Sequence, residues 1–412
     1  MALFNFTPEG ANDLNGLDCE NKESMQLIVK DTFKKYGYQQ ISTSVFEYYD
    51  LFLDIETSID KDQMYKIIDS NGKILVLRPD ATIPIARMAA QLEPEADGQD
   101  DRTEPYKKYM YVTQIFRNED LKVGGKRGFT QAGVEYLGNA NPEADAEVIA
   151  LAINTLLAIG FWDIRVDLGS GDFLNGILSE MNLNEDQESA IASLLENKNF
   201  AELEKFLDAN QIGGNQKEAL LALPFLYGDF TNTIQEAKKI VLNEKMQKCL
   251  DNLCEIYRLL EYYGLTKFVF ADMGFVSHLK YYSGVIFKVY LGNTGSAVAS
   301  GGRYDSLLQE FGKQISATGF GMNIDTVYEA ACKVNYNYLV KNYLDYAIVC
   351  SQQDIDRAIN LAKKLRDLNY SVILCADRYV DVLARKIIDS EGVLLKSNDE
   401  EINNDQYRFG KR

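Results

Sequence analysis

Apolar positions recur at helical spacing over residues 20–36, where Met25, Ile28, Val29 and Phe33 share one face. Gly37 follows as a stop signal. The next stretch, QQISTSVFEYY, is rich in β-branched and aromatic residues and reads as a strand. Residues 64–69 and 73–78 read as two strands joined at Asn71-Gly72, a dipeptide that favours a tight hairpin. Pro79 and Pro84 flank the start of a helix expected to run to about Gln91. Residues 93–105 form an acidic, proline-bounded loop. YKKYMYVTQIFR and FTQAGVEYLG predict an antiparallel pair around a polar loop with two adjacent glycines. A helix is expected over 144–157 and a strand over 164–168.

Residues 172–263 are helical in composition and read as an inserted helical subdomain between core segments 1–171 and 264–335. VIFKVYL and SAVASGGRYD predict strands, and ATGFGMNIDTVYEAA a strand followed by a helix. From about residue 343 the pattern changes to β-α-β-α: YAIVC, a helix over 354–368, YSVILCA, and a helix near 379–388. That alternation predicts a small α/β domain with a parallel sheet over 343–412.

A chain of 412 residues accommodates two or three domains, and 46% hydrophobic with 25% charged residues suits an ordinary globular protein with a large core. No apolar run is long enough to span a bilayer, and MALFNFTPEG lacks the basic-then-apolar pattern of a secretory signal. The six cysteines form no CxxC pair and have one histidine beside them, so no metal site is expected and a reduced, cytoplasmic setting is. A net charge of −18 argues against a nucleic-acid partner, because such affinity comes from neutralised phosphates. Histidine-based acid–base chemistry would have to use His278, whose ordinary reading is a hydrogen-bonded side chain at a strand edge.

Six segments in order then resemble one family. QIFR at 114–117 and FTQAGVE at 129–135 resemble motif 2 of class II aminoacyl-tRNA synthetases in its histidyl version. TPEGANDL resembles that family's opening segment, LRPDAT at 77–82 its LRPEGT element, and FVSHLKYYSGVIFK at 275–288 its histidine-binding segment. SGGRYDSLL at 300–308 resembles the strand and turn that follow, and ATGFGMNID at 317–325 stands where motif 3 belongs. The resemblance implies an α+β fold: a class II synthetase-like antiparallel sheet flanked by helices, with the helical insertion and a small C-terminal α/β domain similar to a diverged anticodon-binding domain.

The resemblance also implies a pocket. Asp80, Thr82 and Gln131 match positions that hold an amino acid's α-amino group, and Glu135, Tyr281 and Tyr282 match those that grip the imidazole. A carboxylate and a phenol suit an imidazole, whose two nitrogens need partners in fixed directions. Without the resemblance, these residues would read as ordinary strand and core residues.

The departures change the expected activity. Ser277 stands where the synthetases carry an arginine, with His278 and Lys280 replacing a glycine and an aspartate. Asp325-Thr326 replaces the glutamate–arginine pair of motif 3, Asp120 and Gly125 replace motif 2 loop arginines, and Ser44 replaces a motif 1 proline. Arg117 and Arg127 are left as vestiges of motif 2. Adenylation depends on positioned positive charge, and each lost group costs about two to three orders of magnitude. No catalytic residue and no cofactor are expected.

TPEG, LRPDxTIPIAR, FTQAGVE and VSHLxYYxGxIFK resemble the versions found in ATP phosphoribosyltransferase regulatory subunits. That family implies a non-catalytic chain in histidine biosynthesis, with histidine as effector and a short-form ATP phosphoribosyltransferase catalytic subunit as partner. It also implies regulatory homodimers within a hetero-octamer. The competing readings are an active histidyl-tRNA synthetase with atypical motifs, an amino-acid sensor that binds tRNA, and a stand-alone histidine-binding protein.

Overall fold

A computed structural model describes residues 7–53, 55, 59–92, 106–118, 126–275, 282–333, 344–376 and 384–397. The chain divides into two compact units, Met1–Leu14 with Lys22–Tyr336, and Asn15–Asn21 with Asn337–Arg412.

The first elements are helix α1 (Gly16–Lys35) and strands β1 (Gln39–Gln40) and β2 (Phe46–Tyr48). Helix α1 begins earlier than its apolar stripe, and Met25, Val29 and Phe33 are its buried face. The expected strand over QQISTSVFEYY is broken in two, because β1 pairs with β5 while β2 joins a separate sheet. That three-stranded sheet has the order β2-β4-β3, with β3 (Lys66–Ile68) and β4 (Ile74–Leu77) joined at Asn71-Gly72. Gly72 takes φ +78°, a conformation that favours glycine, and Asp69 Oδ1 accepts from the Asn71 and Lys73 amides at 2.8 Å each.

Helix α2 (Thr82–Leu92) leads to β5 (Lys107–Phe116) and β6 (Gly128–Leu137), an antiparallel pair. Helix α3 (Pro142–Ile159) starts with proline and ends at Gly160 in the left-handed region. It is apolar around most of its circumference, and accordingly most of it is buried. Then follow β7 (Ile164–Ser170), α4 (Gly171–Ser179), α5 (Glu185–Glu196), α6 (Phe200–Ala209), α7 (Gly214–Ala222), β8 (Tyr227–Asp229), α8 (Phe230–Lys238) and α9 (Glu244–Tyr262). The segment read as mostly helical by composition is so, with one short strand, β8, which pairs with β9 (Val269–Asp272) at the edge of the main sheet. Strands β10 (Val285–Leu291) and β11 (Ala299–Arg303), α10 (Asp305–Gln309), β12 (Ala317–Asn323) and α11 (Ile324–Lys333) complete the unit.

The main sheet has nine strands in the order β1-β5-β6-β12-β11-β10-β7-β9-β8. It is mixed rather than purely antiparallel, since β1 runs parallel to β5 and β7 parallel to β9. One core cluster joins Ile83 and Ile85 of α2 to Tyr109, Tyr111 and Ile115 of β5 and to Tyr304, Leu307 and Leu308. Arg303 ties β11 to the start of α3, with Nη2 and Nε reaching Asp145 Oδ2 at 2.9 and 3.0 Å.

The second unit contains β13 (Leu344–Cys350), α12 (Ile355–Asp367), β14 (Val372–Ala376), β15 (Ala384–Asp389) and β16 (Leu394–Ser397). The helix expected near 379–388 is overturned over its second half, where Ala384–Asp389 forms a strand parallel to β13. Arg385 and Lys386 between apolar neighbours suit a helix face as well as a strand, and pairing with β13 decides. The expected parallel sheet is also corrected. Strand β16 returns antiparallel after a turn at Gly392, φ +88°, where Asp389 Oδ1 accepts from the Glu391 and Val393 amides. Among the described residues, no helix is long and apolar enough to cross a membrane.

Candidate functional site

Strand periodicity places Gln131, Gly133 and Glu135 of β6 on one face of the main sheet. Directly opposite on β12 stand Asn323, Gly321 and Gly319. Gly302 of β11 pairs with Gly319 in turn. On the other side, Tyr109 and Tyr111 of β5 oppose Glu135 and Gly133. The glycines clear a trough between these side chains. A Cβ on Gly319 would collide with Glu135 Oε2 and the Val134 carbonyl, and one on Gly321 would lie 2.8 Å from Gln131 Nε2.

The LRPDAT turn closes one end of this trough. Asp80 Oδ1 accepts from the Ile83 amide at 2.9 Å, capping the start of α2. That turn aims Thr82, whose Oγ1 donates to Glu135 Oε1 at 2.8 Å. The Tyr304 hydroxyl donates to Glu135 Oε2, and the Tyr111 hydroxyl donates to Gln131 Oε1 at 3.0 Å. The resulting cavity has a volume of about 190 Å³, and Asp80, Thr82, Gln131, Glu135 and Tyr282 all line it. Tyr281, the remaining member of the expected set, lies outside the described residues, as do Ser277, His278, Lys280, Asp120 and Gly125. Sequence reasoning missed Tyr111, Tyr304, Ser300 and the two β12 glycines, which also line the cavity. The alternation of ATGFG was the available signal for the glycines.

The cavity disfavours negative charge. Glu135 is 1% exposed, and burial pushes its carboxyl up to about 8. Hydrogen bonds from Tyr304 and Thr82 oppose that shift, and the Asp80 charge adds to it. Asp80 keeps some solvent contact but is raised too, by desolvation, against the Ile83 amide and the Arg117 charge, which pull it down. Burial, then the Glu135 and Asp80 charges, raises the Tyr111 and Tyr282 phenols.

A second cavity of about 450 Å³ adjoins the first, sharing Arg117, Gln131, Ser300 and Gly321 with it. Lys126, Asn323, Thr326, Glu329 and Lys333 are among its walls, and Lys126 pairs with Glu329. At the motif 3 position Asp325 turns away into structure, pairing with Lys22 of α1 and accepting from the Thr130 amide at 3.0 Å. Thr326, its neighbour, presents no charge to the cavity. Arg127 lines neither cavity. Its Nε donates to the Glu9 carbonyl at 2.6 Å, and its Nη1 donates to the Tyr65 hydroxyl at 2.7 Å and Asn118 Oδ1 at 2.9 Å. Arg78 likewise holds backbone, donating to the carbonyls of Gln114 and Thr43. Arg117 lines both cavities.

Among the described residues, the first cavity sets one cation, Arg117, against the Asp80 and Glu135 carboxyls, while the second has Arg117, Lys126 and Lys333 on its walls. The profile of the family described as histidyl-tRNA synthetase matches residues 10–327. An ATP phosphoribosyltransferase regulatory subunit from Acetivibrio thermocellus is 36% identical over 367 residues, covering 89% of this chain and 86% of the relative. One from Oceanobacillus iheyensis is 34% identical over 387 residues, covering 93% and 92%. A crystal structure described as an ATP phosphoribosyltransferase regulatory subunit/histidyl-tRNA synthetase from Bacillus halodurans superposes with a TM-score of 0.80 at 29% identity, covering 94% of this chain and 99% of that one. A histidyl-tRNA synthetase from Nostoc shares the fold, with a TM-score of 0.76 at 18% identity over 97% of this chain and 99% of that one. With identities of this level over most of its length, the chain belongs to the family of ATP phosphoribosyltransferase regulatory subunits, built on the fold of histidyl-tRNA synthetase.

Proposed function

We propose that free histidine occupies the cavity around Glu135, and that the chain acts there as the non-catalytic, feedback-sensing subunit of an ATP phosphoribosyltransferase in histidine biosynthesis. The observation that carries the reading is the setting of Glu135. A carboxyl this deeply buried, held by Thr82 and Tyr304 and raised to about 8, suits a ligand that can take up its proton and bring positive charge beside it. An imidazole does both, and Asp80 beside it suits an ammonium group.

The same electrostatics supports a non-catalytic role. Phosphoryl chemistry wants several positioned cations, whereas Thr326 stands at the motif 3 site, Arg127 is engaged with Glu9, Tyr65 and Asn118, and of the cations on the second cavity's walls, Arg117, Lys126 and Lys333, Lys126 is paired with Glu329. The partner is a short-form catalytic subunit, joined in a cytoplasmic hetero-octamer built on regulatory homodimers. Histidine is its allosteric effector, and tRNA is not a partner of a chain with net charge −18. Feedback needs only a differential affinity of histidine for two states of the assembly, and a coupling of about 1–3 kcal/mol is enough.

The experiment is reconstitution. The purified chain is mixed with a short-form catalytic subunit, and phosphoribosyl-ATP formation is followed with and without histidine. The expected result is activity that depends on the chain and falls when histidine is added. A rate indifferent to the chain and to histidine would sink the reading.

A further inference from the structure

The second cavity, of about 450 Å³, is a positive space with one opposing group. Among its described walls are three cations, Arg117, Lys126 and Lys333, and a single carboxylate, Glu329. Helix α11 also begins at this wall. Asn323 Oδ1 accepts from the Thr326 amide at 3.1 Å, and both residues line the cavity, so the positive end of the helix lies against it. Asp325, the acid of that first turn, spends its charge on Lys22. Without Glu329, every charge on the described walls would favour an anion.

Helical spacing sets where Glu329 points. Thr326, Glu329, Ala330 and Lys333 stand at i, i+3, i+4 and i+7 of α11 and form the stripe that faces the cavity. The β10–β11 turn holds that stripe in place, because Asn293 Nδ2 donates to the Ala330 carbonyl at 2.9 Å. From the stripe Glu329 reaches Lys126, at the entry to β6, and the two side chains pair at 2.5 Å. Lys126 keeps 27% of its side chain exposed and Glu329 53%. A pair this solvated contributes little to folding. Its consequence falls on ligands. A phosphate approaching Lys126 meets a carboxylate already in the contact position, and like charges a few ångströms apart repel.

We infer that Glu329 is a specificity residue of the second cavity: by engaging Lys126, it makes the cavity refuse polyphosphate ligands, nucleoside triphosphates included. The inference stands apart from the histidine reading, since neither Lys126 nor Glu329 is among the described walls of the cavity around Glu135. Refusal of nucleotide then has two sources. Cations expected from the motifs are replaced, and a carboxylate occupies one of the cations that remain.

The test is calorimetric titration of the full chain with ATP, without magnesium and at low salt, for wild type, Glu329→Gln, Lys126→Met and the double variant. Glu329→Gln is expected to bind ATP at least about tenfold more tightly than wild type. Inorganic tripolyphosphate, which carries no base, should gain by a similar factor, and high salt should erase most of either gain. Lys126→Met should gain nothing, because it removes a cation and leaves the carboxylate in place. The double variant should lose most of the gain, because the cation that Glu329→Gln releases is absent. An unchanged ATP affinity in Glu329→Gln, a gain for ATP that tripolyphosphate does not share, or an equal gain in the double variant overturns the assignment.

Discussion

Glu135 and Gly319 face each other on adjacent antiparallel strands, and the glycine's missing side chain is the space the glutamate's carboxyl occupies. Gly319→Ala should therefore both fill the trough and force β6 and β12 apart, since the new Cβ would collide with the Val134 backbone as well. The expected outcome is a stability loss of about 1–3 kcal/mol by urea unfolding, with histidine binding lost in calorimetry. An alanine variant with wild-type stability and affinity would show that the strands accommodate the methyl group without closing the site.

Glu135 gives the empty protein a pH-dependent stability. Its carboxyl is raised from an ordinary value of 4.5 to about 8, so between those values the folded chain holds a proton that the unfolded chain releases. This contribution is complete below the unfolded value and is lost as pH rises through about 8. Glu135→Gln cannot titrate, so its unfolding free energy should fall less steeply than wild type between pH 5 and about 9. Parallel curves for the two proteins would mean that Glu135 is ionised in the native state throughout.

Histidine affinity should be bell-shaped in pH. Below the free imidazole's value of about 6.5 the ligand arrives already protonated, and binding must expel the Glu135 proton. Above about 8 the carboxyl has lost the proton that the imidazole would take up. Affinity measured from pH 5 to about 9.5 should peak between these limits, and a flat profile contradicts the proton exchange.

Tyr304→Phe removes one of the two hydroxyls that stabilise the ionised carboxylate. It should move the alkaline limb of that profile to higher pH and weaken histidine binding by about tenfold, a loss typical of one charge-assisted hydrogen bond. An alkaline limb that stays in place would mean that the Tyr304 contact does not control the carboxyl.

Arg303 and Asp145 form an ion pair whose side chains are only 8% and 2% exposed, linking β11 to α3. Arg303→Met leaves Asp145 buried without its cation and should cost about 3–5 kcal/mol in urea unfolding. Arg127→Met breaks contacts that are exposed or only part-buried and should cost far less, about 1 kcal/mol or below. Equal losses would contradict the distinction drawn between these arginines.

Much of the site was legible along the chain because it is local. LRPDAT encodes a helix cap through Asp80 and Ile83, and FTQAGVE encodes an alternating strand face, so the backbone rules that shape them act within a few residues. The Asn71-Gly72 turn and the buried α3 helix were readable for the same reason.

What the sequence determined by itself was the family resemblance, the strand faces, the caps and the types of side chain available to a pocket. Only the tertiary structure decided which of those side chains meet. Register between β6 and β12 set Gly319 against Glu135, and long-range packing brought Tyr304 to Glu135, turned Arg127 toward Glu9 and left Arg117 at the junction of the cavities. It also made Ala384–Asp389 a strand, against a pattern that suited a helix. The physical reason is that strand pairing and burial depend on partners distant in sequence, whereas caps, turns and periodicity depend on neighbours.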